Sequence, residues 1–356
     1  MDTNTTTSYD IDGLNALSDQ QLSALEWREL NCFNGRLLEL HAEGALGNEN
    51  AAKLPRKPIL CIDQIDLLDE SQIEASFTFP AEPGDWAFAT SESLEMLFQD
   101  QLDQLVGFWA SRKIEGIGRA LSSGNCVLHQ SLDFEANKRI RFVLQKRKWM
   151  ENKDSGGGTA VFNARILDAE GELIMETRNV IVGILALDDI LELRQKHGGT
   201  QGVEGPAAGE QASELRIPVF DQDHGSTPAD EPGSFNRVAT QAISPKLWPL
   251  KYHFKADPVV PGNFGTHGMI ALLKAAAVDN FGLKNPVFKS LSKKSFSGMI
   301  FEDEKQIRFE LIGISQAENG DVVAATANLY LEDKVGNKMI DDPIYTFKNL
   351  TVAESA

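Results

Sequence analysis

The chain has 356 residues, of which 42% are hydrophobic and 24% are charged, and its formal net charge at pH 7 is −18. This length and composition indicate a globular protein with about two domains, and no run approaches the ~20 apolar residues that a membrane helix needs. The negative charge argues against nucleic acid as a general partner, because the phosphates would be repelled.

The N-terminus and the cysteines favour a cytoplasmic setting. The first residues lack the basic segment and the apolar core of a secretory signal. Cys32, Cys61 and Cys126 form an odd and widely spaced set, which gives neither a disulfide framework nor a CxxC metal site. We therefore expect the protein to work in a reducing compartment.

The first part of the chain is predicted as an N-terminal helical extension over residues 1–50 and a first domain over 51–196. Apolar residues at helical spacing predict one helix from about Ser18 to Leu40 and a longer one from about Glu92 to Lys113. The segment 168–171 predicts a hairpin turn. Short β-type runs predict strands near residues 59–62, 75–79, 126–128, 140–145, 161–167 and 180–185.

Residues 197–232 are rich in Gly, Glu, Asp, Ala and Ser, and we expect a linker or a long surface connection there. A second domain is predicted over 233–356, with a helix from about Gly265 to Asn280 and a turn at 333–336. Its strands are expected near residues 237–243, 287–291, 306–314, 322–332 and 344–352.

The two domains repeat one order of elements: strand, tryptophan, loop, long helix and four strands. Trp86 precedes the first helix and Trp248 the second, and His253 follows Trp248 at the distance at which Ser91 follows Trp86. One helix per antiparallel sheet of about six strands is a hot-dog layer, in which the sheet wraps the helix. The predicted fold is α+β, a double hot-dog whose two sheets meet edge to edge.

The stretch from Tyr252 to Gly265 combines a histidine, a turn rich in Pro and Gly, and a helix start near Gly262. Pro258 and Pro261 fix φ, and Gly262 lets the backbone approach a ligand closely. Free N–H groups at a helix start beside a histidine suit the polarisation of a carbonyl while a base takes a proton. A proline-stiffened loop with an incidental histidine is the structural alternative.

Three stretches resemble the β-hydroxydecanoyl-ACP dehydratase family. Gln104-Leu105-Val106-Gly107-Phe108 with Gly118-Arg119-Ala120-Leu121 is similar to that family's central helix and following strand, and residues 54–63 resemble its N-terminal strand entry. His253-Phe254-x-x-Asp257-Pro258-Val259-x-Pro261-Gly262 is similar to its catalytic-histidine loop. The resemblance covers roughly residues 50–190 and, more thinly, 235–355. Double hot-dog dehydratases of polyunsaturated-fatty-acid and polyketide synthases are similar in keeping one active pairing.

The resemblance implies one composite catalytic site that both domains share. His253 of the second domain would be the base, and Asp100, four residues before Gln104, would be the acid. Gly262 would donate its backbone N–H to the thioester carbonyl, and Gln104 would orient Asp100. The structural alternatives are a core histidine at His253, a surface amide at Gln104, and Asp103 as a competing acid on the same helix.

The mirrored site lacks this pairing, because Ser91 and His267 stand where its histidine and its acid would be. We expect His267 to line a vestigial pocket or to have a structural or solvent-facing role. A metal site built from His253, Asp257 and His267 has no local ligand spacing such as HxxxH, so it is the weaker interpretation.

The predicted function is the dehydration of β-hydroxyacyl thioesters on acyl carrier protein to 2-enoyl thioesters, without a cofactor; enoyl isomerisation stays open. The protein would act in fatty-acid, polyunsaturated-fatty-acid or polyketide-type synthesis, as a homodimer or in a synthase complex. The basic clusters Lys138–Lys148 and Lys284–Lys294 are candidate docking faces for the acidic carrier. The alternative function is a non-catalytic double hot-dog that binds acyl chains or scaffolds a synthase.

Overall fold

The structure is a computed structural model. It describes residues 9–10, 62, 64–79, 81, 91–111, 113–114, 117–130, 134–152, 156–185, 220–243, 259–300, 306–318, 320–332 and 341–355. The predicted helix at 18–40, the residues Trp86, Trp248 and His253, and the turn at 333–336 lie outside these residues.

Two long helices and fifteen strands lie within the described residues. The helices are α1 (Ser91–Ser111) and α2 (Gly262–Phe281), and neither is long and apolar enough to cross a membrane. The strands that precede residue 200 are β1 (Tyr9–Asp10), β2 (Gln64–Leu68), β3 (Gln72–Thr78), β4 (Ile117–Ser123), β5 (Cys126–Leu128), β6 (Arg139–Asn152), β7 (Gly157–Leu167) and β8 (Leu173–Leu185). The later strands are β9 (Gln222–Pro228), β10 (Phe235–Ala242), β11 (Pro286–Leu291), β12 (Lys293–Phe296), β13 (Gln306–Gln316), β14 (Val322–Glu332) and β15 (Tyr345–Glu354).

The predicted double hot-dog is confirmed: each half has one long helix against its own part of an antiparallel sheet. The hairpin at 168–171 is also present, with Gly171 at φ 89° and the Asp168 N–H donating to the Glu172 carbonyl at 3.0 Å. Strand β9 lies inside the range predicted as a linker and pairs with β10. The predicted domain boundaries themselves stay a prediction.

All fifteen strands join one sheet, and its centre is the seam where the two halves meet edge to edge. The strand order along the main path is β1-β2-β3-β6-β7-β8-β4-β12-β15-β14-β13-β10-β9. At the seam β4 pairs with β12, and β5 pairs with β11. These two crossings are counterparts, because β4 and β5 follow α1 in the chain as β11 and β12 follow α2.

Helix α1 packs on β4, β7 and β8 through one apolar stripe. The stripe recurs every three or four residues, which places it on a single helix face. The stripe consists of Leu94, Phe98, Leu102, Leu105 and Trp109, each at most 2% exposed. Burial of a side chain of this size contributes about 1.5–3 kcal/mol. This burial fixes the rotation of α1 and therefore the direction in which its polar residues point.

Helix α2 packs more closely on its sheet because its inner face carries small residues. A Cβ on Gly265 would lie 2.8 Å from Cδ2 of Tyr345, and a Cβ on Gly268 would overlap the ring of Phe309. The helix ends at Gly282, whose φ of 73° is left-handed and whose N–H caps the carbonyls of Ala277 and Val278. Close packing at one end and a glycine cap at the other hold the helix start in place.

The far end of α2 is tied to the sheet edge by a buried arginine. Arg237 of β10 is 6% exposed, and its guanidinium contacts Asp223 of β9 at 2.5 Å and Asp279 of α2 at 2.6 Å. Burial lowers the pKa of Arg237 and the two carboxylates raise it, and the net effect is a rise. This cluster connects the edge strand, its neighbour and the helix.

Candidate active site

A pocket of about 100 Å³ lies at the seam, where the start of α2 meets the middle of α1. Asp100, Asp103 and Gln104 of α1 form its wall from the first half, and Gly262 and Asn263 of α2 form its wall from the second half. Three of the predicted site residues, Asp100, Gln104 and Gly262, therefore share one pocket that neither half builds alone.

Asp100 is a buried carboxyl with two amide neighbours. Its side chain is 8% exposed; the Asn263 amide donates to Oδ1 at 3.4 Å and the Gln104 amide to Oδ2 at 3.5 Å. Burial, followed by the nearby Asp103 carboxylate, raises the pKa of Asp100 to about 7, against the opposing effects of the two amides and Lys294. A carboxyl with this pKa can hold a proton near neutral pH and give it up during a reaction.

Gly262 is the first residue of α2, and its N-cap Pro261 makes no side-chain cap hydrogen bond to the helix start. The N–H groups of a first helical turn lack intrahelical partners, so they can donate to an oxygen placed there. A Cβ on Gly262 would lie 3.0 Å from the ring of Phe296, which also lines the pocket. Glycine therefore permits the helix start to contact Phe296 closely.

His253 and Asp257 lie outside the described residues, so the pairing of His253 with Asp100 stays a prediction. The described chain resumes at Val259, six residues after His253 (259 − 253), and Val259 and Val260 both line the pocket. The segment that carries His253 therefore leads directly into the wall of the site.

A polar network behind Asp100 was missed by the sequence analysis. Lys294 of β12 is 1% exposed; its Nζ donates to the side-chain oxygens of Gln99 at 2.9 Å and Asn263 at 2.5 Å and lies 3.7 Å from Oδ2 of Asp103. The Asn263 amide nitrogen donates to Oδ2 of Asp103 at 3.0 Å. The same asparagine thus joins the lysine to both carboxyls.

Two further polar residues line the pocket, Arg119 and Tyr345. Arg119 donates to the carbonyl of Gly118 at 3.1 Å. Tyr345 is 2% exposed, and burial raises the pKa of its phenol well above the usual range. The phenol is therefore neutral at the pH at which Asp100 titrates.

The predicted docking face Lys284–Lys294 is wrong at Lys294, which is buried in the network. The cause is strand alternation in β12, because Lys293 faces solvent and Lys294 faces the core. Lys284, Lys289 and Lys293 are exposed. In the cluster Lys138–Lys148 several cations already contact carboxylates: Lys138 with Glu135, Arg139 with Asp66, Arg141 with Glu74, and Lys146 with Glu70.

The mirrored site has no described aspartate on its helix at the place of Asp100. His267 of α2 is 4% exposed, so a solvent-facing role is wrong for it. Ser91 is the first residue of α1, and its side chain is outside the described part of the structure. The described residues therefore show no second aspartate–histidine pair on the mirrored side.

Comparison with known proteins supports the fold assignment. Residues 227–338 match the model of the FabA-like domain, which confirms the family resemblance of the second half. No curated protein matches the chain.

Solved structures similar to this chain include two dehydratases and one thioesterase. The dehydratase domain from the CurJ module of the curacin polyketide synthase is 11% identical with a TM-score of 0.41, covering 82% of this chain and 96% of that one. A MaoC-like dehydratase is 13% identical with a TM-score of 0.41, covering 74% and 83%. The 12:0-ACP thioesterase from Umbellularia californica is 9% identical with a TM-score of 0.40, covering 80% and 96%.

Proposed function

We propose that the protein dehydrates β-hydroxyacyl thioesters carried by acyl carrier protein, since residues 227–338 match the model of the FabA-like domain. The observation that carries the proposal is the composite pocket. It places Asp100, a buried carboxyl with a pKa raised to about 7, against the helix start at Gly262.

In the proposed reaction His253 takes a proton from C2 of the substrate while Asp100 gives its proton to the C3 hydroxyl. The C2–H electron pair forms the new double bond, the C3–O bond breaks, and the hydroxyl leaves as water. The imidazolium then returns its proton to the Asp100 carboxylate, directly or through the released water, so the enzyme is regenerated without a cofactor. The Gly262 N–H stabilises the negative charge that develops on the thioester oxygen.

The electrostatics of the pocket support these roles. A neutral imidazole can act as a base near pH 7, and a carboxyl must be protonated to act as an acid. Burial provides that protonated form, since the pKa of Asp100 is raised to about 7 from an ordinary value of 3.8. The rate should therefore fall above about pH 7 as Asp100 loses its proton.

The deciding experiment is turnover of a 3-hydroxyacyl-ACP series of different chain lengths, with enoyl product and free acid quantified separately. We expect enoyl formation by the wild type, and loss of at least about 100-fold in kcat for His253→Ala and for Asp100→Asn, since a general acid or base contributes 10²–10⁴-fold. Matched controls are His224→Ala and Asp342→Asn, whose side chains are exposed.

Each alternative function gives a different result in this assay. Release of free acid without enoyl product would replace dehydration with thioester hydrolysis. Absence of turnover at every chain length, with acyl-ACP binding retained, would favour the non-catalytic acyl-binding protein. Turnover that survives both substitutions would reject His253 and Asp100 as the catalytic pair.

A further inference from the structure

Lys294 is a buried cation at the seam between the two halves. It belongs to β12, which pairs with β4, and Ser122 of β4 donates its hydroxyl to the Lys294 carbonyl at 2.8 Å. Its ammonium reaches Gln99 of α1 and Asn263 of α2 and lies over the ring of Phe296 at 5.3 Å. A charge taken so far from water is costly unless a nearby opposite charge and hydrogen bonds compensate it.

Asp103 is the carboxylate that compensates this cation. Its side chain is 10% exposed and its Oδ2 lies 3.7 Å from the Lys294 ammonium. Oδ2 also accepts the shorter of the two Asn263 hydrogen bonds, at 3.0 Å, while the bond to Asp100 is 3.4 Å long. Both the nearby cation and the shorter Asn263 hydrogen bond therefore favour the ionised form of Asp103 over that of Asp100.

Asn263 has only one amide orientation that satisfies all of its neighbours. Its oxygen accepts from the Lys294 ammonium, which has no lone pair, so its nitrogen must face the two carboxyls. The amide cannot rotate by 180° without setting its nitrogen against the ammonium. Lys294 therefore fixes the direction from which Asp100 and Asp103 receive a hydrogen bond.

Among the described residues, the network contains the carboxyls of Asp100 and Asp103 and one cation, Lys294, which lies 3.7 Å from Asp103. The other polar groups that face Asp100 are the amides of Asn263 and Gln104, with Arg119 and Tyr345 elsewhere in the pocket wall. One negative charge balances Lys294, so the second carboxyl is most stable with its proton.

We propose that Asp103 and Lys294 are positioning residues: together they hold one buried negative charge beside Asp100 and so keep Asp100 in the protonated form that donates to substrate. The inference rests on the proposed role of Asp100 as the acid. The Asp103 charge raises the pKa of Asp100. Burial raises the pKa of Asp103 as well, against the opposing effects of Lys294 and Asn263.

The test changes the charge balance and reads the protonation of Asp100. In Asp103→Asn the ammonium loses its carboxylate, so Asp100 becomes its counter-ion and its pKa falls by at least about one unit, a tenfold change in its ionisation constant. The high-pH limb of kcat/KM moves to lower pH by the same amount. With the pKa moved from about 7 to about 6, activity at pH 8 therefore falls about ninefold and activity at pH 6 about twofold.

The double variant Asp103→Asn/Lys294→Met is the matched compensation, because it removes both charges and keeps similar volumes. In this double variant, we expect the high-pH limb of kcat/KM and the pKa of Asp100 to lie within about half a pH unit of their wild-type values. Asp342→Asn removes an exposed carboxyl and should leave both unchanged. A rate that falls equally at every pH in Asp103→Asn would show a structural role only and would overturn the proposal.

Carboxyl ¹³C titration of aspartate-labelled protein separates this inference from the proposed function, since it needs no substrate. In the wild type the Asp103 carboxyl should titrate below that of Asp100; the opposite order overturns the proposal even if no variant folds. Titration in the expected order without enoyl formation would instead reject the dehydratase function and leave the charge arrangement standing.

Discussion

Substitution of Asp100 by asparagine should make the protein more stable at neutral pH. The wild-type carboxyl is 8% exposed and resists ionisation, with a pKa raised from 3.8 to about 7. In the unfolded chain the same group ionises near its ordinary pKa. Between those two values the folded state binds the extra proton, so the free energy of unfolding is largest at low pH and decreases as the pH rises towards 7.

The magnitude follows from the difference between the two pKa values. It is 7 − 3.8, or about three pKa units, which corresponds to about 4 kcal/mol at about 1.4 kcal/mol per unit. About 2 kcal/mol of this lies between pH 5 and pH 7. Asp100→Asn has no proton to lose, and its amide can accept from Asn263 and donate to a reoriented Gln104. Its advantage over the wild type should therefore increase across this range and stay constant above it.

The assay is urea unfolding of the wild type and of Asp100→Asn at half-unit steps from pH 5 to pH 8, followed by tryptophan fluorescence. The exposed Asp342→Asn serves as the control and should follow the wild type at every pH. A stability difference between Asp100→Asn and the wild type that does not depend on pH would refute the reasoning, because it would mean that Asp100 does not titrate in this window.

Three other substitutions test the packing and the pocket. A Cβ on Gly118 would lie 3.1 Å from the Gly107 Cα, so Gly118→Ala should lower the free energy of unfolding in urea by about 1–3 kcal/mol. Gly107→Ala should be tolerated, because the nearest atom to a Cβ there is 3.9 Å away. Arg237→Ala should cost about 2 kcal/mol in thermal unfolding, because it leaves two partly exposed aspartates unpaired. Gln104→Leu should lower kcat up to about tenfold with little change in KM, since it removes one donor to Asp100; an unchanged kcat would reject Gln104 as its orienting residue.

The long periodic elements could be predicted from the sequence because burial repeats along them. The stripe of α1 and the alternation in β7 persist for ten residues or more, so their predicted positions overlap the observed elements. The short strand β12 carries two lysines in four residues, and its charge hides its two-residue period. Strand β9 is polar and mostly exposed at the sheet edge, which is why its segment resembled a linker.

The pocket could be predicted in part, because the resemblance to the β-hydroxydecanoyl-ACP dehydratase family implies an acid four residues before Gln104. That position is Asp100, and it lines one pocket together with Gly262. Lys294 and Asp103 could not be found in this way. A lysine or an aspartate is usually exposed, and only the three-dimensional meeting of β12 with α1 shows that these two compensate each other.

The internal repeat shows what occupies the place of Lys294 on the mirrored side. Lys294 of β12 pairs with β4 and β15, and Cys126 of β5 pairs with β11 and β8, the counterparts of those strands. Lys294 pairs with Ser123 at one crossing, and Leu291 pairs with Cys126 at the other. The numbering agrees with the repeat, since 294 − 126 and 291 − 123 are both 168. Cys126 is fully buried, so among the described residues a thiol stands on the mirrored side where Lys294 stands on this one.

The helices show the same replacement of the anion. The equivalence of Asp100 with His267 (267 − 100 = 167) places Ile270 at the position of Asp103 (270 − 103 = 167), and Ile270 is 2% exposed. Cation and anion are thus replaced together, as expected for a buried pair in which either partner alone would cost several kcal/mol. Because the mirrored crossing packs without any such pair, joining the halves does not require Lys294 and Asp103. Their presence on the side that carries Asp100 is better explained by the protonation of that carboxyl.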